Sequence, residues 1–206
     1  MSKVGRKSDQ PPADKGRIKG VALRGFLCWY AANVDHERVG RSVKLAERTF
    51  SEPFEVGLTG FGVLSSRWYA AEVVHAILDE ITRHHAPDEL GAMAEDAAQA
   101  VMNDLLKGVY RSIIGMFVTP DRYSRHGEKL WKLNYDNGQP VFSSLSPTEH
   151  HVRYVGWRSH HPFICRINMA TALPLYTAMG CKGVRYRRLS CVSDGAAVCT
   201  TSVHWK

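Results

Sequence analysis

The stretch VRYRRLSCVSDGAAVCTTSVHW, residues 184–205, decides the fold class of this chain. Two runs rich in β-branched and aromatic residues flank a polar turn, Ser193-Asp194-Gly195, and this pattern is typical of a β-hairpin. Further upstream, HVRYVGW at residues 151–157 alternates in the same way and predicts another strand. The C-terminal part of the chain is therefore predicted to form an antiparallel sheet.

The segments around these strands complete the predicted order. LWKLNY at residues 130–135 precedes Asn137-Gly138, a pair that favours tight hairpin turns, and so predicts a strand that enters a turn. Residues 162–179 predict a helix with a kink at Pro174, and Gly180 then ends it. The expected order is strand, strand, helix, strand, strand.

The N-terminal half of the chain predicts helices. Residues 68–81 carry apolar side chains at spacings of three and four, which favours a helix that follows a capping serine. Residues 90–116 predict a second long helix, and Thr119-Pro120 predicts a break and a new helix start. The fold class is therefore α+β, with N-terminal helices packed on a C-terminal antiparallel sheet.

Length and composition favour one domain. The 206 residues are 44% hydrophobic and 23% charged, close to the globular average. Residues 1–16 are polar and basic and predict a disordered tail, so the domain is expected to span residues 17–206. The formal net charge of +7 owes part of its excess to that tail. Neither a signal peptide nor a long apolar run is present in the sequence, which predicts a cytoplasmic protein.

Cysteine spacing gives the strongest chemical signal. Cys191 and Cys199 flank the predicted C-terminal turn, and Cys165 lies in the preceding predicted helix, so three thiols could converge. Zinc prefers four ligands in a tetrahedron, usually from cysteine or histidine, and Cys181 or a histidine could complete the set. Buried thiols that simply pack in a core are the alternative.

The segments YVGWRSHHPFIC, residues 154–165, and GCKGVRYRRLSCVSDGAAVCTTSVHW, residues 180–205, resemble the end of the 4-vinyl-reductase-like domain. That domain is related to the haem nitric-oxide-binding fold and to aromatic-sensing regulator domains. The chain also resembles an uncharacterised myxobacterial paralogous family of about 200 residues. A Trp68-Tyr69 pair, a Thr119-Pro120 break and the final Cys…Gly…Cys…Trp run carry that second resemblance, from about residue 17 to the end.

The resemblance implies a metal site and also argues against it. In the aromatic sensors, three cysteines and a glutamate hold zinc beneath a ligand pocket, and Cys165, Cys191 and Cys199 fall where those cysteines would. The glutamate would lie three residues before Cys191, where this chain has Arg188, and a guanidinium cannot ligate zinc. A metal-free thiol cluster is therefore the prediction, and zinc is the alternative.

The sequence predicts no cofactor, with zinc as the alternative, and it disfavours haem. Haem nitric-oxide-binding proteins use a proximal histidine and a Tyr-x-Ser-x-Arg motif. The nearest sequence here, at residues 123–126, is Tyr-Ser-Arg-His, with different spacing.

Histidines occur in adjacent pairs on both sides of the HVRYVGW strand. His150-His151 and His160-His161 cannot chelate one metal as pairs, because neighbouring side chains on a strand point to opposite faces. They are expected to be surface or loop histidines, and a pH-sensitive or ligand-contacting role is the alternative.

A basic run follows the predicted long helix of the C-terminal half. Such a run could bind an anion such as phosphate, or it could keep an edge strand from pairing with other molecules. Nucleic acid would be better supported by exposed aromatic residues between the cations, and the aromatics here mostly alternate inward. The candidate anion-binding residues are Lys182, Arg185, Arg187 and Arg188.

The sequence favours binding over catalysis. It contains no phosphate-binding loop, no dinucleotide-binding glycine motif and no convincing set of acid, base and nucleophile. We therefore expect a non-catalytic regulatory or sensory module that binds a small apolar molecule or lipid in an internal pocket. The alternative is an adaptor with a filled core whose basic face docks an acidic partner, and a homodimer is compatible with either. The candidate pocket residues are the large aromatics Trp68, Tyr69, Tyr110, Phe117 and Trp157.

Overall fold

A computed structural model describes residues 15–55, 60–107 and 119–206 of the chain, and the side chains of residues 104–107 are outside that description. Helices dominate the first part and strands the last. The helices are α1 Gly20–Asn33, α2 His36–Phe50, α3 Ala71–Thr82, α4 Glu89–Lys107, α5 Pro120–Lys132, α6 Pro162–Ala170 and α7 Ala172–Ala178. The strands are β1 Arg17–Lys19, β2 Trp68–Ala70, β3 Gln139–Ser146, β4 Glu149–Val155, β5 Arg185–Ser190 and β6 Cys199–His204.

Four strands form one antiparallel sheet in the order β3-β4-β6-β5. Two helices, α6 and α7, lie between β4 and β5 along the chain, so the predicted order strand, strand, helix, strand, strand is present. The predicted fold class, α+β with helices packed on an antiparallel sheet, is confirmed.

The core lies between one face of this sheet and the helices. On α1, Leu23, Phe26, Leu27 and Tyr30 recur at spacings of three and four and are all buried, which fixes the inner face of that helix. Phe26 contacts Phe163 of α6 at a ring-centroid distance of 5.1 Å. The sheet contributes its inward-facing positions, since alternate residues of a strand face opposite sides.

Two segments of the N-terminal half differ from the prediction. Trp68 does not begin a helix. It lies in β2, which pairs with β1 through the register Lys19↔Trp68, and α3 begins only at Ala71. These short strands satisfy backbone groups that a helix starting at Trp68 would leave to solvent. The structure also holds part of the predicted tail, because the Gly16 carbonyl accepts a hydrogen bond from the Ala71 N–H at 2.9 Å.

The predicted strand at residues 130–135 is wrong. Its first three residues end α5, which begins with a Thr119 side chain that accepts a hydrogen bond from the Arg122 N–H and with Pro120 in the first turn. This cap and proline start a helix whose inner face includes Trp131. The strand of this region is β3, which follows Gly138 in a left-handed conformation with φ of 71°.

The predicted helix over residues 162–179 is two helices. It breaks between Ala170 and Ala172, four and two residues before Pro174. A proline ring clashes with the carbonyl four residues earlier, here Ala170, and this explains where α6 ends.

The described part of the predicted helix over residues 90–116 is α4, and residues 108–118 lie outside the described residues. No helix in the described ranges is long and apolar enough to cross a membrane.

Candidate functional site

An apolar cavity of about 160 Å³ lies between the helices and the inner face of the sheet. Helices α1, α3, α4, α5, α6 and α7 line it together with β1, β3 and β4, and no charged side chain is among its described lining residues. Apolar protein cavities of about 150 Å³ can hold a molecule the size of benzene. The cavity therefore has the volume and the polarity for a small, uncharged molecule.

A few polar side chains give the cavity a hydrogen-bonding character. Burial raises the pKa of Tyr123 to about 12, and burial also raises the pKa of Tyr135 and of Tyr154. These phenols are therefore neutral hydrogen-bond donors near neutral pH. The Asn168 side-chain amide donates to the Tyr135 hydroxyl at 2.9 Å, so that pair is fixed in place.

The three described aromatic residues that the sequence predicts for the pocket, Trp68, Tyr69 and Trp157, are not among the residues that line this cavity. Trp68 stacks under the Lys19 ammonium at 4.8 Å, and the Tyr69 hydroxyl accepts from the Leu64 N–H at 2.9 Å. Trp157 packs in an aromatic cluster behind the cavity wall. Tyr110 and Phe117 lie outside the described residues. The large rings that do line the cavity are Phe26, Tyr123, Trp131, Tyr135 and Tyr154.

A second feature lies directly beside the cavity, at the other side of α6. The ligand-type atoms of His160, Cys165, Cys191 and Cys199 all lie within 4.8 Å of one another. Cys165 stands on α6, Cys191 follows β5, Cys199 begins β6, and His160 precedes the cap of α6. We call these four residues the Cys3His cluster. All three thiols are buried.

The distances within the Cys3His cluster match a zinc tetrahedron. A zinc ion with Zn–S bonds of about 2.3 Å and a Zn–N bond of about 2.0 Å separates its sulfurs by about 3.8 Å and sulfur from nitrogen by about 3.5 Å. The Cys191 Sγ lies 3.7 Å from the Cys165 Sγ and 3.4 Å from the Cys199 Sγ. The His160 Nε2 lies 3.4 Å from the Cys191 Sγ. These separations are also well beyond the roughly 2.05 Å of a disulfide bond.

Hydrogen bonds among the three thiols lower the pKa of two of them and raise the pKa of Cys165. Hydrogen bonding with Cys165 is the main cause that lowers the pKa of Cys191 and the pKa of Cys199. The Val192 N–H adds a hydrogen bond of 3.3 Å to the Cys199 sulfur. Because the thiolate is the form that ligates metal, this environment prepares two of the three sulfurs for coordination.

Two residues weighed for this site from the sequence lie outside the cluster. Arg188 forms an ion pair of 3.0 Å with Asp194, so it does not occupy a ligand position and does not place its charge on a metal there. Cys181 packs instead near Tyr176 and Val203, at the far end of the sheet. His160 takes the fourth place. In the sequence, the feature that could have indicated His160 as a ligand is its position five residues before Cys165, next to the start of α6.

The basic run is divided between the two faces of the sheet. Arg185 and Arg187 of β5 are exposed on the face that the helices leave open, whereas Arg188 points the other way. Lys182 lies in the turn before β5, where its backbone pairs with Lys206. The four residues therefore do not form one anion site, and only two of them share a face.

A histidine pair near the cluster gives a prediction about pH. The rings of His75 and His161 lie 5.2 Å apart, and burial lowers the pKa of His75 from 6.5 to about 4, with a further contribution from His161. As the pH falls from 6.5 to 4, the unfolded chain binds a proton at His75 before the folded protein does, so the free energy of unfolding should decrease through this window. We expect His75→Gln to recover roughly 1 to 2 kcal/mol of that loss, a discounted figure because the ring is partly exposed.

Urea unfolding at pH 7.0, 5.5 and 4.5 measures this difference. If the free energy of unfolding decreased equally with pH in the wild type and in His75→Gln, His75 would not contribute to the pH dependence of stability. His36→Gln is the matched control for the effect of the histidine-to-glutamine exchange itself, since His36 is exposed.

The architecture of helices packed on this four-stranded sheet is that of the H-NOX domain. An H-NOX protein from S. oneidensis in the Fe(II)NO ligation state superposes with a TM-score of 0.62 at 15% identity, over 92% of this chain and 99% of that one. The unliganded Fe(II) H-NOX mutant A71G from K. algicida gives a TM-score of 0.62 at 11% identity, over 92% and 97%. An oxygen-binding H-NOX domain related to soluble guanylate cyclases gives 0.59 at 7%, over 92% and 95%. No family model and no curated protein matches the sequence.

These structures correct the expectation that no cofactor, and haem least of all, belongs to this chain. The matched structures include one described by the modulation of haem redox potential through porphyrin distortion, so haem occurs in proteins of this fold and the expectation that excluded it is wrong. The cavity offers donor types that bind haem iron, the phenols of Tyr123, Tyr135 and Tyr154 and the thioether of Met102. No histidine lines its described part, and a porphyrin would need a cavity larger than about 160 Å³.

Proposed function

We propose that this protein is a sensory module that binds a small, uncharged molecule in the cavity between its helices and its sheet. The observation that carries the proposal is the composition of that cavity, in which apolar side chains surround a few neutral hydrogen-bonding groups. Burying a charged ligand there would cost several kcal/mol because no charged partner lines the described wall. The H-NOX fold supports the proposal, since the matched oxygen-complex structure is that of a protein that binds a small molecule.

We further propose that the Cys3His cluster holds a structural zinc ion that fixes the wall of the cavity. Helix α6 contributes Cys165 to the cluster and Ile164 and Asn168 to the cavity, so one short helix is shared by both. On the sheet, Cys199 pairs with Tyr154 across the β4–β6 register, and Tyr154 also lines the cavity. A four-coordinate zinc site with no open position binds protein elements together and leaves no place for substrate.

A cavity-filling substitution tests the ligand site. Ala22→Leu adds methyl groups into the cavity and should lower the affinity for toluene, a single-ring probe, by at least roughly tenfold, because the occupied volume no longer admits the ring. Ala32→Leu is the matched control on the same helix, since Ala32 is exposed. Isothermal titration calorimetry and thermal shift of the purified protein measure the binding.

Titration with haem, followed by its absorption spectrum, forms the second arm of the experiment. Saturable binding of toluene that Ala22→Leu weakens supports the proposal. Binding of haem but not of toluene would overturn it, because haem is larger than the cavity and carries two carboxylates. Absence of binding in both arms, together with a native mass spectrum that shows no retained small molecule, would overturn it.

A further inference from the structure

We propose that the edge strand β5 docks an extended acidic segment of a partner protein, which adds a fifth strand to the sheet. Strand β5 ends the described sheet on one side, so its outer backbone groups have no strand partner among the described residues. Adding a peptide strand to such an edge is a common mode of protein recognition, in which backbone hydrogen bonds give affinity and side chains give specificity.

The charge of this edge defines the partner. Arg185 and Arg187 alternate along β5 and both point to the open face of the sheet. Arg153 of β4 is exposed on the same face. Within the described ranges, no carboxylate lies within 4 Å of these three guanidinium groups. Three unpaired cations on one open face favour an acidic partner.

Glu149 lies on the same open face of the sheet, but its carboxylate already has partners. Glu149 lies 3.2 Å from the His151 Nε2 and 3.3 Å from the His204 Nε2, and the Ser202 hydroxyl donates to it at 3.4 Å. The arginine next to Arg187 is neutralised, since Arg188 points to the other face and pairs with Asp194. The fold therefore pairs its inward arginine and leaves the outward ones for a partner.

The spacing of the two edge arginines selects an extended segment. Residues two apart on a strand lie about 7 Å apart on the same face, and an added strand repeats that spacing. Carboxylates at alternate positions of the partner would therefore face Arg185 and Arg187 directly, and such opposite-charge pairs across strands are stabilising. On a helix, residues two apart point in different directions, so a helical acidic segment would not match.

The opposite edge of the sheet does not offer the same site. Strand β3 contains Pro140, which has no backbone N–H to give to an added strand, and it carries no cation. Its exposed side chains include Val141 and Leu145. The proposal thus assigns docking to one edge, and the other edge is an internal control.

A peptide pair tests the proposal. The probe is a fluorescent eight-residue peptide in which threonine and glutamate alternate, and the comparison peptide has the same composition with the four glutamates in one block. We expect fluorescence anisotropy to show that the alternating peptide binds at least roughly tenfold more tightly than the block peptide. Arg185→Ala combined with Arg187→Ala should remove that preference. Lys44→Ala combined with Arg48→Ala is the matched control, because both are exposed cations on α2 without an ion pair among the described residues.

Backbone amide exchange shows where the peptide lies. The alternating peptide should slow exchange in β5 and leave β3 unchanged, since only an added strand protects edge amides. Equal affinity for both peptides, binding that the β5 double variant retains, or no saturable binding up to about 1 mM would each overturn the proposal. Because Arg185 and Arg187 are exposed, the double variant should remain folded, and circular dichroism checks this.

Discussion

Cys191→Ser should release one zinc ion per chain and unfold the protein at room temperature. Cys191 lies at the centre of the Cys3His cluster, within 3.7 Å of the Cys165 sulfur and 3.4 Å of both the Cys199 sulfur and the His160 Nε2. Binding of a structural zinc contributes about 10 to 16 kcal/mol at neutral pH, which is comparable with the whole stability of a typical domain. Elemental analysis of untagged protein and a thermal melt measure both effects.

Two cysteine variants are the controls for this result. Cys181→Ser and Cys28→Ser should keep the metal and the melting temperature, because Cys181 packs away from the cluster and Cys28 is exposed. His160→Ala should release zinc as Cys191→Ser does, and this separates His160 from Cys181 as the fourth ligand. Wild-type protein that contains no zinc, with all three cluster thiols titratable after denaturation, would contradict the assignment.

The sequence predicted the C-terminal strands because their periodicity and their turns agree. Strands β4 and β6 contain several β-branched side chains, and buried or half-buried positions alternate with more exposed ones along β5, so local and tertiary preferences coincide there. Strand β3 was missed because its serines and its proline give no such alternation. The strands β1 and β2 are three residues each, too short to carry any period.

Residues 130–135 show where periodicity fails. Their apolar residues fit either a strand or the end of a helix. The helix that contains the first of them begins further upstream, at the Thr119 cap and Pro120. Cap signals settle such ambiguous runs, because they start a helix that then continues through residues of weak preference.

The candidate site could be predicted only where it depends on strand pairing. Cys191 directly follows β5 and Cys199 is the first residue of β6, so the pairing of these two strands brings the cysteines together. The place of His160 depends on the path of residues 156–161, which the Asn137 side chain fixes by accepting hydrogen bonds from the Arg158 N–H at 2.7 Å and the Ser159 N–H at 3.2 Å. Such a long-range contact has no local sequence signal. The cavity likewise depends on how six of the described helices pack, so the sequence did not indicate its lining.

Trp157→Ala should destabilise the folded protein by about 3 to 5 kcal/mol, the usual cost of removing a buried tryptophan. Trp157 is 8% exposed and joins the cluster of Trp131, Tyr135 and Tyr154, with ring centroids between 4.9 and 5.8 Å away. Its indole N–H donates to the Ser159 hydroxyl at 3.1 Å, and removing the ring leaves that buried hydroxyl without the donor. Urea unfolding monitored by circular dichroism measures the loss.

The same substitution should also affect the cavity and the Cys3His cluster, because the Trp157 ring packs against one residue of each. It lies 5.1 Å from the His160 ring and packs on Tyr154, which lines the cavity. We therefore expect Trp157→Ala to weaken zinc retention in the presence of a chelator, whereas Trp157→Phe, which keeps a ring in place, should retain most of it. Trp68→Ala is the matched control, since Trp68 is only partly buried and lies on β2, and it should leave zinc retention unchanged. Unchanged stability and unchanged zinc retention in Trp157→Ala would show that this aromatic cluster does not connect the two sites.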